Sequence, residues 1–160
     1  MRRLRAAEIV AGIGAIVLLA SVPLIWFTAD TNSFFGVNLD TTGWAGLGWL
    51  MVAALVLSAL LALGLCVALI AAVSDAPGLV FGILLAVVSV ITLVALIIVL
   101  IARPGLGFGL PRSAVGLAPA AWAGAIAMAA IAAGAIASLH NTRTTGPDRE
   151  YTPPAPRPAP

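Results

Sequence analysis

Charge is what this sequence has least of. Only 9% of its 160 residues are charged, where soluble domains carry roughly a quarter. A soluble fold of this length could not cover its surface with so few, so the composition points to an integral membrane protein built as one compact bundle. Lysine is missing altogether, and all eight basic residues are Arg. They are scattered and the net charge is only +2, which leaves no basic patch for nucleic acid. Cysteine occurs once, at Cys66, so no intramolecular disulfide staples the loops. Leu65 stands before it where a lipoprotein-type lipidation site needs a small residue, and Cys66 reads as a packing residue. Histidine also occurs once, at His140, and a lone His at a membrane edge makes no metal site.

Long apolar runs fill the space that charge leaves. Trp44 to Val73 and Leu79 to Ala102 hold no acidic or basic residue, and only Ser74-Asp75-Ala76-Pro77-Gly78 separates them. Water-soluble helices need a polar face, so the pair reads as a helical hairpin crossing a bilayer. Arg2, Arg3 and Arg5 precede a further run from Ala6 to Thr28. It lacks a small-x-small cleavage triplet and is long enough to span, so an uncleaved first helix with a bend at Pro23 is expected. Glu8 opens that helix, where the helix dipole and Arg5 favour a carboxylate. The last run is mostly Ala. The expected fold class is all-α: a four-transmembrane-helix bundle over residues 1–140, with helices at about 6–28, 46–73, 79–102 and 119–139. Residues 141–160 are Pro-rich and read as a disordered cytoplasmic tail.

The connections are short. Residues 28–43 are polar and suit a small hairpin or a flap on the membrane. Trp26, Phe27, Phe34, Phe35, Trp44 and Trp49 crowd that boundary and are expected to anchor helix ends in the headgroup layer. Arg103 to Arg112 is rich in Gly and Pro, but no Lys-Ser/Thr follows and no βαβ unit surrounds it, so a phosphate loop is declined in favour of an irregular interfacial loop. Six of the eight Arg lie at the two ends of the chain, while the first connection carries Asp30 and Asp40. The positive-inside rule then places both termini in the cytoplasm.

Small residues recur at helical spacing. Ala7, Ala11 and Ala15 mark the first helix; Ala54, Ser58, Ala62 and Cys66, with Gly64, Ala68 and Ala72, mark the second. Ala121, Ala125, Ala129, Ala133 and Ala137 mark the last, beside Ala130, Gly134 and Ser138. Such ridges let membrane helices approach closely. The third helix is bulkier and is expected to face lipid more than the others do, with Ser89 and Thr92 bonding back to their own helix.

The Arg-rich start with Glu8, the Trp26-Phe27 pair, Trp44 opening the second helix, the Arg103-Pro104-Gly105 exit and Trp122 in an Ala/Gly-rich last helix form a pattern. It resembles a group of short four-helix integral membrane proteins of actinobacteria over about residues 1–140. That group has no assigned activity, so the resemblance implies architecture and no chemistry. Trp44-Ala45-Gly46-Leu47-Gly48-Trp49 is also similar to the first-loop signature of claudin-like tetraspan proteins, without their paired loop cysteines.

An intramembrane hydrolase needs a nucleophile with a base, or metal ligands. The helix interiors offer Ser58, Ser89, Thr92, Ser138 and Cys66 with no His, Asp, Glu or Lys beside them in the runs, so no catalytic, cofactor or metal residue is assigned and no enzyme is expected. Ion-coupled carriers show intramembrane ionisable residues and broken helices, which are not evident here beyond Pro23. The expected role is a non-enzymatic accessory, structural or assembly component of the cell membrane. Its partners are then the lipid bilayer and either further copies or another membrane protein. The alternative is a homo-oligomeric pore lined by Ala, Gly and Ser faces. Ala62→Leu and Gly134→Leu are expected to disrupt assembly, and Glu8→Gln to leave it intact.

Overall fold

The computed structural model describes residues 6–30, 38–71, 76–103 and 112–144. Arg2, Arg3, Arg5, Phe34, Phe35, the Ser74-Asp75 turn, most of the Gly/Pro loop and the tail beyond Thr144 lie outside them. In chain order the elements are α1 (Ala6–Ser21), β1 (Ile25–Asp30), β2 (Asn38–Thr42), α2 (Gly43–Gly46), α3 (Trp49–Ala71), α4 (Ala76–Ala102), β3 (Val115–Leu117) and α5 (Pro119–Thr144). The described chain is mostly helical, with a three-stranded antiparallel sheet that the all-α expectation omits.

Three helices, α3, α4 and α5, are long and apolar enough to cross a membrane, and α1 is a shorter apolar helix. They pack as a four-membered ring in which α1 and α4 each lie between α3 and α5. The contacts run antiparallel. Cys66 lies against Gly12, Phe81 against Gly64, Leu139 against Gly82, and Gly134 meets Ala7 while Gly14 meets Ala127.

The first helix stops seven residues before its expected end. Pro23 has no N–H to give Leu19, and its ring disfavours helical backbone at Val22. The freed end is closed locally: Val22 N donates to Leu18 O at 3.2 Å, Leu24 N to Ser21 O at 3.0 Å, and the Ser21 hydroxyl to Leu18 O at 2.8 Å. Ile25-Trp26-Phe27-Thr28, β-branched and aromatic, then takes up strand geometry instead of prolonging the span. The second expected helix begins at Trp49, three residues late, because Gly48, whose φ of +75° suits glycine, separates α3 from the single turn of α2. The third begins at Ala76, three residues early, with Pro77 in its first turn. The last continues to Thr144, into residues expected to be tail.

β1 is the central strand and pairs with both β2 and β3. β2 belongs to the connection from α1 to α3, and β3 to the connection from α4 to α5. The sheet therefore ties two separate connections together at one end of the bundle.

Candidate functional site

The sheet end holds the greatest concentration of unusual packing. Trp26 and Phe27 are both fully buried, although neighbours on a regular strand point to opposite faces. A register shift between Ile25 and Phe27 against β2 resolves this, because a bulge re-aims one side chain. The Trp26 indole N–H donates to Ser21 O at 2.6 Å, so the ring folds back on the end of α1. Its far edge lies on Gly124 of α5, where an added Cβ would overlap the six-membered ring.

The Trp44–Trp49 segment is shaped around the same two aromatics. A Cβ at Gly43 would come within 2.7 Å of Val22 O and 3.0 Å of the Trp26 nitrogen, and one at Gly46 within 2.5 Å of the Phe27 ring. Gly43 N donates to Leu24 O at 3.1 Å, which docks α2 on the exit from α1. Trp44 and Trp49 themselves are exposed, as is Trp122 at the start of α5. The headgroup anchoring expected of all these aromatics suits Trp44 and Trp49. Trp26 and Phe27 are core residues instead, because the bulge turns both inward.

Arg103 leaves α4 with φ of +52° and is half-buried. Its Nη1 donates to Val115 O at 2.8 Å. Ala118 N donates to Trp26 O at 2.9 Å, and Phe27, Thr28 and Ala29 oppose Leu117, Gly116 and Val115. Alternation along an antiparallel pair then turns the polar groups of Leu117 and Val115 away from β1, toward the outer edge. The arginine thus caps an edge carbonyl, and an open edge is otherwise a template for further strands. Beside it, Ile97, Leu100, Ile101, Leu117, Trp122 and Ala125 line a cleft of about 410 Å³ between α4 and α5.

Glu8 and Cys66 come together at the other end of the bundle, where the last turns of α5 that carry His140 also lie. Glu8 is buried on α1, and the Cys66 thiol stands 3.4 Å from the Glu8 carbonyl oxygen. His140 is exposed on the last turns of α5, and Asp40 and Arg112 are exposed at the sheet end. Ser58 donates to Ala54 O at 2.8 Å and stands 3.4 Å from Thr92 Oγ1, which links α3 to α4, while Ser89 donates to Ala86 O at 3.2 Å. Thr92 therefore has an interhelical neighbour that the sequence did not reveal. Among the described residues no three His, Cys, Asp or Glu side chains gather to hold a metal. No family model, curated protein or solved structure matches the chain.

Proposed function

We propose that the protein is a non-enzymatic component of the cell membrane, serving another membrane protein as an accessory or assembly subunit. α1 joins α3, α4 and α5 as a fourth span, and both termini are cytoplasmic. The observation that carries this reading is the sheet that binds the two connections of one side into a single platform over the bundle. A short helix of 16 residues covers only ~24 Å at 1.5 Å per residue, and the antiparallel packing of α1 on α5 supplies the reason it can still sit in the bilayer. The arginines outside the described residues at the N-terminus and in the tail support the orientation.

Fully buried Leu55, Leu65, Leu85, Leu96, Met128 and Ile131 fill the space between the helices, which speaks against a pathway through one copy. Native mass spectrometry of the protein, extracted gently from its own membrane, tests the role. A stoichiometric second protein is expected. A discrete homo-oligomer that conducts ions in a planar bilayer would replace this reading with the pore. Orientation is tested with Arg112→Cys in a Cys66→Ala background: an impermeant maleimide applied to intact cells is expected to label it.

A further inference from the structure

We infer that the cleft between α4 and α5 at the sheet end is a binding site for one anionic phospholipid, its phosphate beside Arg103 and an acyl chain along Ile97, Ile101 and Ala125. The inference rests on α4 and α5 spanning the bilayer, and is indifferent to which side the sheet faces.

Three independent features meet there. The first is the cleft itself, about 410 Å³, walled by Ile97, Leu100, Ile101, Leu117 and Ala125 and therefore suited to hydrocarbon. The second is charge. Arg103 lines the cleft at the point where α4 ends, held in place by the bond from Nη1 to Val115 O, and a guanidinium has five N–H donors in a fixed fork. The third is the start of α5. Trp122, half-exposed in the first turn of that helix, brings an indole N–H donor to the same wall, and the positive end of the α5 dipole favours an anion. Among the described residues that line the cleft none is acidic.

The arrangement also matches the layering of a bilayer. Arg103 and Trp122 lie at the sheet end of the spans, where headgroups sit; Ala125 lies about one turn deeper along α5, and Ile97 nearly two turns deeper along α4. A neutral zwitterionic lipid would fill the apolar part equally well but would bring a cation toward Arg103. Selectivity for an anionic headgroup is the feature that this geometry predicts.

The test uses the full chain, delipidated in detergent, then offered phosphatidylglycerol or phosphatidylcholine with identical acyl chains and read by native mass spectrometry. Retention of one phosphatidylglycerol at about fivefold over phosphatidylcholine is expected, the ratio given by the ~1 kcal/mol that one Arg gains near an anionic lipid. Glycerol phosphate without chains is expected not to bind. Arg103→Gln should abolish the preference, Arg103→Lys should keep it, and Arg112→Gln should leave it unchanged. Ala125→Leu, which narrows the cleft without touching charge, should lower retention of phosphatidylglycerol. Equal retention of the two lipids by the parent overturns the site, as does an unaltered preference in Arg103→Gln. If Arg103→Gln does not fold, undiminished retention by Ala125→Leu overturns it instead. Hydrogen exchange of α4 and α5 in vesicles keeps the two readings apart: fast exchange would sink the spans themselves, whereas strong protection without lipid preference sinks only this site.

Discussion

The two helices that meet at this cleft are opposites. α4 is the most hydropathic of the three spanning-length helices and the least buried, with 28% of its most apolar stretch inside the molecule; α5 is the least hydropathic and the most buried, at 44%. In water the order would be reversed, because burial there rewards apolar area. In lipid the surroundings are as apolar as Leu, so bulk gains nothing by turning inward and close approach of small residues decides the packing. α4 accordingly presents Val87, Ile91, Val94, Ile98 and Ile101 outward, while α5 brings Gly124, Ala127, Gly134 and Ala135 against its neighbours. The bulky helix marks the lipid face and the plain one marks the interior.

The largest way to break that contrast is to remove what α5 is shaped to receive. Trp26→Ala empties the space over Gly124 and is expected to cost about 3–5 kcal/mol, read by unfolding in mixed micelles. Overfilling comes next. A Cβ at Gly134 already falls 2.6 Å from Ala7 O and 2.9 Å from the Ala11 side chain. Gly134→Leu should therefore cost about 3 kcal/mol or more by the same assay, while Ala133→Leu, one residue away and exposed, should match the parent. Changes on α4 should be milder. Thr92→Val keeps the shape and deletes the hydroxyl facing Ser58, for an expected loss of about 0.6 kcal/mol. Ile91→Leu, on the outward face of α4, should leave the unfolding midpoint where it is. A large loss there would mean that α4 is covered by protein.

The sequence carried the bundle but concealed its cap. Charge-free runs made α3 and α4 visible, yet the same criterion carried the first run on to Thr28, because Ile25, Trp26 and Phe27 are as apolar as a span. The legible sign was Pro23 followed by β-branched and aromatic residues, which ends a helix more often than it bends one. Val115-Gly116-Leu117 is too short for any periodicity, and only its pairing with β1 makes it a strand. The inward turn of Trp26 and Phe27 depends on a bulge, which leaves no compositional trace.

The alanine ridges were legible over short stretches and misleading over long ones. Each fourth residue overshoots a helical turn by about 40°. Ala130, Gly134 and Ser138 stay on the inner side, but the longer series passes from buried Ala121 through Ala125 to exposed Ala129, Ala133 and Ala137. For the cleft, Arg103 and Trp122 were each noticed in the sequence, but as parts of different segments. Their meeting follows from the antiparallel packing of α4 on α5.

The central position of β1 also constrains how the chain is made. Ala29 is synthesised early, but its partner Val115 follows only after α3 and α4 have been made. At roughly 5–20 residues per second the wait is about 4–17 s. Until then β1 presents one unsatisfied edge, and α1 lacks the helix whose glycines accept it. The protein thus has a vulnerable period built into its biosynthesis, in which the first helix is held by α3 alone and the last helix closes both the ring and the sheet.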